Sequence, residues 1–274
     1  MDLAIIGLGN WGSSLAHGCV AANIPMSEVV VRRGTRSRTE LPVVRFEDAK
    51  LDARILWLCV RDGEISDVAE RIVAHRGHLS GQIVVHSSGA LNVRALEAAK
   101  RVGAHVASIA PVMSFPTRTP VSLKGVMFAV EATTEIRRQL EGLVRRLGGE
   151  PFQIESNKKP TYHAAATLAS PLLLSEISAA MATARLAGLP PKQAARWVSA
   201  LAQATLTNFV SRGAEKSFSG PFARGDAATI RLHLQSLGEH PMLKEIYGSL
   251  ARFAVEEFSV QRRRELKSLF KRVR

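Results

Sequence analysis

The chain has 274 residues, which suits about two domains, and a hydrophobic share of 46% that supports a packed core. Its 37 basic and 24 acidic residues leave a net charge of +13, which favours anionic ligands. Two cysteines, Cys19 and Cys59, are too few for a disulfide framework and read as small buried hydrophobes. No apolar run approaches the roughly 20 residues of a membrane-spanning helix. Met1 leads directly into an apolar strand, so no signal peptide is expected and a cytoplasmic location is.

The first half alternates strands and helices. Strands are predicted near residues 2–6, 28–32, 43–46, 54–60, 82–86, 104–109 and 126–130. Helices are predicted near 11–22, 63–75, 91–101 and 134–147. This alternation argues for a parallel sheet covered on both faces. From Lys159 onward the sequence is rich in alanine and leucine at helical period. Pro160 opens a helix, Gly188 stops it, and Pro190-Pro191 restarts the chain. Further helices are expected over 191–212, 226–237 and 242–260. The fold class is therefore an α/β Rossmann domain over residues 1–152 and an all-α domain over 153–274. The second domain is assigned to substrate binding, and the reactive site to a cleft between the two.

The first strand runs into G-x-G-x-x-G at Gly7, Gly9 and Gly12. A strand, a glycine turn and a helix in that order suit a dinucleotide: Gly7 allows the tight turn, Gly9 lets the backbone approach a pyrophosphate, Gly12 lets helix and strand pack closely, and the helix N-terminus at Asn10 and Trp11 offers free N–H groups to the phosphates. The second strand ends in Arg32-Arg33-Gly-Thr-Arg36-Ser-Arg38, with no acid before Glu40. Arginine at that position suits a 2′-phosphate, so the expected cofactor is NADP(H), held by Arg32 and Arg33, with Ser37 and Arg38 as helpers. Val60 and Arg61 follow the fourth strand and are placed beside the nicotinamide ribose.

The fifth strand ends in His86-Ser-Ser-Gly-Ala90, where Ser88 and Gly89 are the candidate substrate contacts and His86 fits a core histidine equally well. Lys159, His163, Thr167 and Ser170 fall on one helix face at about 100° per residue. A lysine there, desolvated, can act as a general acid. Pro171 should kink that helix. Asn208, Arg224 and Asp226 are further substrate candidates, with Asp226 equally suited to capping a helix. The basic tail from Arg262 to Arg274 also carries Leu266, Leu269, Phe270 and Val273 at helical spacing. It reads as a terminal helix docked on its own protein, ahead of a nucleic-acid or membrane role. No metal site is expected.

Four segments in order, Gly7-Leu-Gly-Asn-Trp-Gly12, His86-Ser-Ser-Gly-Ala90, Tyr162-His-Ala-Ala-Ala166 and Gly220-Pro-Phe-Ala-Arg-Gly-Asp226, carry a family likeness. Together they resemble the Rossmann-like oxidoreductases with a helical C-terminal domain of formerly unknown function. That family is similar to 6-phosphogluconate dehydrogenase and ketopantoate reductase. The resemblance implies a helical dimerising domain and makes Lys159 the counterpart of the lysine that protonates the substrate oxygen. It also implies an NADPH-dependent reductase of a small anionic carbonyl or imine compound, with a ketopantoate-like 2-oxo acid as the leading candidate. Two positions depart from the family pattern: Ala110 stands where a histidine is usual, and Pro171 where an asparagine is. They motivate the alternative of an NADP(H)-binding sensor or partner-binding protein without turnover.

Overall fold

The computed structural model describes residues 2–32 and 43–270, so Arg33, Arg36, Ser37, Arg38 and the basic residues from Lys271 to Arg274 lie outside the described residues. The chain divides into two compact units, residues 1–167 and 168–274. The division falls later than the expected one after residue 152, because the helix that begins at Lys159 roots its first turn in the first unit.

The first unit is built on an eight-stranded sheet: β1 (Leu3–Ile6), β2 (Met26–Val31), β3 (Val43–Arg45), β4 (Ile55–Leu58), β5 (Ile83–His86), β6 (His105–Pro111), β7 (Met127–Glu131) and β8 (Glu150–Gln153). Their order is β3-β2-β1-β4-β5-β6-β7-β8. Every pairing is parallel except β6 with β7. The order reverses at β1, and such reversals leave a crevice at the carboxyl ends of the strands. The seven predicted strands are all present. Sequence reasoning missed β8, a short edge strand whose Pro151 has no N–H to give a ladder, which an edge position tolerates.

The apolar strands read as continuous runs because both faces are covered. Leu3, Ile5, Trp57, Val85 and Phe128 pack on one side with Leu15 of α1 (Asn10–Ala21) and Ile136, Leu140 and Val144 of α4 (Thr134–Arg146). Ala4, Ile6, Leu56, Leu58 and Val84 pack on the other with Ile65 and Ile72 of α2 (Ile65–Arg76) and Ala99 of α3 (Glu97–Arg101). Alternate residues of one strand thus serve opposite cores. Burial pushes the Cys19 thiol up to about 12 and the Cys59 thiol well above its ordinary value, so both stay protonated.

The helix starting at Lys159 runs as α5 (Lys159–Thr167), a π turn over Leu168–Leu172, and α6 (Leu173–Leu186). Pro171 supplies no N–H, and the wider π turn over these residues accommodates that gap in the hydrogen-bond ladder. Against the sequence expectation, this helical run (Ser156–Leu186) is long and apolar enough by length and composition to cross a membrane, with a mean hydropathy of 1.3 over its best 18 residues. Alanines and leucines raise the average, while interspersed serines and threonines keep the segment from reading as one unbroken apolar run.

In the second unit α6 packs on α7 (Pro191–Arg212) through Met181, Ala184, Ala194 and Val198. Two short helices follow, α8 (Ala214–Ser217) and α9 (Gly220–Ala223), then α10 (Ala227–Ser236), α11 (Pro241–Glu257) and α12 (Arg263–Leu269). Leu266 and Phe270 are buried with Ile230 and Val255. The described part of the tail is therefore a docked helix, tied further by Arg231–Glu265 and Lys267–Glu256 ion pairs.

Candidate active site

The glycine turn forms as its spacing requires. Gly7 has φ +106°, and a Cβ there would lie 2.6 Å from the Cys59 carbonyl oxygen, so only glycine lets β1 and β4 converge. A Cβ on Gly12 would sit 2.1 Å from the Gly7 carbonyl oxygen. Gly9 differs, because nothing lies within 4 Å of where its Cβ would be. That open space stands over the first turn of α1, which has neither a side-chain cap nor an acidic residue. Free N–H groups, the positive end of the helix dipole and room for close approach make an anion site that fits a pyrophosphate. The Asn10 side chain is turned away, donating to the Phe115 carbonyl at 2.7 Å, and Trp11 Nε1 donates to Ser87 Oγ at 2.7 Å. Both residues therefore offer a ligand only their backbone.

Val60 lies against this turn, its Cγ1 3.2 Å from a Cβ built on Gly7. Arg61 is exposed. At the end of β2 the exposed Arg32 guanidinium pairs with Glu64. Arg32 and the turn after β1 end neighbouring parallel strands, the spacing a nucleotide's ribose and pyrophosphate bridge.

The turn after β5 is held by a dense set of hydrogen bonds through His86, Ser87 and Ser88. Ser88 N–H donates to His86 Nδ1 at 3.1 Å, which leaves the ring proton on Nε2, 3.2 Å from the Asn92 carbonyl oxygen. Burial, then the nearby Lys159 charge, pushes His86 down to about 4, so it is a neutral core histidine. Ser87 Oγ receives indole N–H bonds from Trp11 and from Trp57, the latter at 2.8 Å. Ser88 Oγ donates to Asp62 Oδ2 at 2.7 Å and accepts from the Leu91 N–H at 2.9 Å. Ser88 is 4% exposed, so its hydroxyl is a strut inside the turn where an open substrate contact was expected.

Lys159 is fully buried. Its Nζ donates to the Ser88 carbonyl at 2.9 Å and to Ser108 Oγ, and lies 3.5 Å from Glu131 Oε2. Glu131 Oε1 also accepts from Ser156 Oγ and from the Val93 N–H. Desolvation lowers the lysine pKa against the opposing pull of Glu131. The sequence placed Lys159 in a desolvated cleft facing Ser88 and Gly89; in the structure it is enclosed under the Ser88–Gly89 turn, because its helix begins against β5, β6 and β7. One turn on, His163 is exposed and rests on Gly89, where a Cβ would meet its Nδ1 at 2.7 Å. Ala110, expected to face a cleft, is buried in β6 opposite Ala129 of β7.

The first unit thus brings together Asp62, Ser88, Gly89, Lys159 and His163 at the carboxyl ends of β4 and β5. Sequence reasoning placed Asp62 at the end of the fourth strand without its bond to Ser88, and missed Ser108, Glu131 and Glu64. A carboxylate closing the apolar run Met127–Glu131 was the available signal for a buried charge partner. In the second unit Ser170 lies exposed in the π turn, Asn208 exposed on α7, and Arg224 exposed after α9. Asp226 caps α10, accepting from Thr229 N–H at 3.1 Å and Thr229 Oγ1 at 2.7 Å. Those bonds hold its carboxyl below the usual carboxylate range. The preceding Gly225 has no room for a Cβ, with the Gln261 carbonyl oxygen 2.4 Å away. That part of the Gly220–Asp226 segment is accounted for by packing.

Residues 2–111 match a Rossmann-like domain model and residues 126–254 match the domain of unknown function DUF2520. The chain joins these two domains. None of the curated proteins matches it. Among solved structures it is similar to a Bacteroides fragilis protein taken to be an NADP oxidoreductase, at 20% identity, 93% of this chain, 98% of that one and a TM-score of 0.76. A Thermotoga maritima protein matches at 21% identity over 97% of this chain and 99% of that one, with a TM-score of 0.74. A Myxococcus stipitatus imine reductase in complex with NADP+ matches at 16% identity, 93% and 94% coverage and a TM-score of 0.67. At these identities what is shared is the fold.

Proposed function

We propose that this chain is an NADP(H)-dependent reductase of a small anionic carbonyl or imine compound. The observation that carries it is the pairing, on one sheet edge, of an uncapped glycine-turn helix with a rigid Ser88–Gly89 turn that holds His163 and Asp62 beside it. Gly9, the N-terminal N–H groups of α1 and Arg32 would hold the pyrophosphate and the 2′-phosphate. The chemistry NADPH supplies when bound is a hydride for an electrophilic carbon. His163, exposed beside Gly89, is the group placed to give the accompanying proton to the substrate oxygen or nitrogen. Asp62 fixes the Ser88 hydroxyl. Lys159, bonded to Ser88 and Ser108 and ion-paired with Glu131, acts as a positioning residue that keeps the turn in register. Arg224, Asn208 and Ser170 are exposed groups of the helical unit available to a substrate carboxylate or carbonyl. A short 2-oxo acid, ketopantoate first, and cyclic imines are the substrates to test. The solved imine reductase of the same fold supports including imines.

Titrating NADPH by its fluorescence and following loss of reduced-nicotinamide absorbance with a panel of 2-oxo acids and imines tests the assignment. Binding with turnover, and a loss of about 100-fold or more in kcat for His163→Ala with NADPH affinity kept, is expected. Failure to bind NADPH overturns it. Binding with no turnover across the panel favours a nucleotide-binding sensor, the alternative that the enclosed Lys159 and the Ala110 departure support.

We also infer that the helical unit pairs with a second copy of itself. Leu172 at the end of the π turn, Leu173 and Leu174 at the start of α6, and Trp197, Leu201, Phe209 and Val210 on α7 are exposed in the single chain. Apolar surface on that scale marks an interface.

A further inference from the structure

We propose that Glu64 is a specificity-determining residue that restrains the preference of this protein for a 2′-phosphorylated dinucleotide. The inference rests on the assignment of the β2 end to the adenosine ribose. At that point stands an arginine–carboxylate pair. Arg32 Nη2 donates to Glu64 Oε1, and the side chains of Arg32 and Glu64 are 70% and 31% exposed, so both groups reach solvent. Glu64 is not a loose partner. Its N–H donates to the Arg61 carbonyl at 2.9 Å and its Oε2 accepts from the Arg61 N–H at 3.4 Å. This reciprocal turn pins the carboxylate beside Arg32 through β4's end, independently of the segment after Arg32.

The pair offers two opposed chemistries at one place. The guanidinium forks to a phosphate, and a carboxylate accepts from a ribose 2′-hydroxyl. A 2′-phosphate must draw Arg32 from Glu64 and sit near a negative charge. A 2′-hydroxyl meets neither cost and gains an acceptor. Removing the charge of Glu64 therefore helps the phosphorylated dinucleotide and does nothing for the other.

The test uses the full chain and measures Kd for NADPH and NADH by fluorescence titration. Glu64→Gln keeps an oxygen for the Arg61 N–H, so the turn survives. One unit charge at contact distance near the surface is worth about fivefold in affinity. We expect the NADH-to-NADPH Kd ratio to rise about fivefold in E64Q and to stay at the wild-type value in E70Q, which removes a charge from the same region further along α2. An unchanged or lower ratio in E64Q, or an equal rise in E70Q, overturns the role of Glu64. Failure of the wild type to bind NADPH at all is a separate result that removes the cofactor assignment instead.

Discussion

The Lys159 ammonium donates to the Ser88 carbonyl oxygen at 2.9 Å, a bond between residues 71 positions apart that joins the first turn of α5 to the turn after β5. The same ammonium lies 3.5 Å from the buried Glu131 carboxylate. Three parts of the first unit, β5, β7 and α5, thus share one buried charge pair. Taking one partner away strands the other in a dry site. Lys159→Met should lower the unfolding free energy by about 3–5 kcal/mol in urea denaturation. Adding Glu131→Gln to it should return part of that loss, since the amide keeps an acceptor oxygen without the charge. A double variant that loses the sum of the two single effects would show that the pair is not coupled.

His86 gives a pH dependence of defined sign. Its folded pKa is pushed down to about 4 from the ordinary value of 6.5. Between those values the unfolded chain takes up a proton that the folded chain refuses. Stability from this group is complete above pH 6.5 and declines as pH falls toward 4, by about 3 kcal/mol in total. His86→Gln, which retains an N–H for the Asn92 carbonyl, should flatten that part of the stability–pH curve. An identical slope in wild type and variant would mean that carboxylates alone carry the acid limb.

Gly9 and Gly12 separate ligand binding from folding. Gly9 has φ −80° and open space around its missing side chain. Gly9→Ala should unfold at the wild-type temperature while losing about tenfold or more in NADPH affinity, because a methyl group would fill the space the pyrophosphate needs. Gly12→Ala drives a methyl group into the Gly7 carbonyl and should cost about 1–3 kcal/mol of stability whether or not nucleotide is present. Thermal unfolding beside NADPH titration reads both. Unimpaired binding by Gly9→Ala would take the pyrophosphate away from this turn.

The sheet was legible because its strands carry unbroken apolar runs and its first turn needs glycine at fixed spacing. β8 was not, since Glu150-Pro-Phe-Gln153 is an edge strand with a polar residue at each end and a proline inside. The site was legible by residue more than by role. The Lys159–His163 spacing predicted a shared helix face, and the two do lie one turn apart. Yet one is fully buried and the other exposed, because burial depends on β5, β6 and β7 converging over the first turn of α5. Glu131 and Ser108, which decide the environment of Lys159, sit 28 and 51 residues away from it in strands chosen for their apolar character. No local pattern announces them. Asp226 shows the reverse case: its position before Ala227 announced a helix cap, and its bonds to Thr229 are those of a cap.

The exposed apolar residues of α6 and α7 set the last prediction. Trp197 and Leu201 are 54% and 58% exposed and one helical turn apart, so they share a face. Leu174 on α6 is 64% exposed. A soluble single chain would present these to water at a cost of about 25 cal/mol for each Å² of apolar surface left uncovered. A second copy supplies matching helices without any further component. Sedimentation equilibrium should therefore give twice the chain mass, and Leu174→Asp with Leu201→Asp should return the mass of one chain, since a carboxylate in an apolar contact is left without a partner. The apolar composition of Ser156–Leu186 makes a lipid surface the competing cover. Flotation with liposomes distinguishes the two. A single-chain mass together with co-flotation of the wild type, lost in the aspartate variant, would replace the dimer by a membrane contact. A dimer that stays at the bottom of the gradient leaves the helices covering each other.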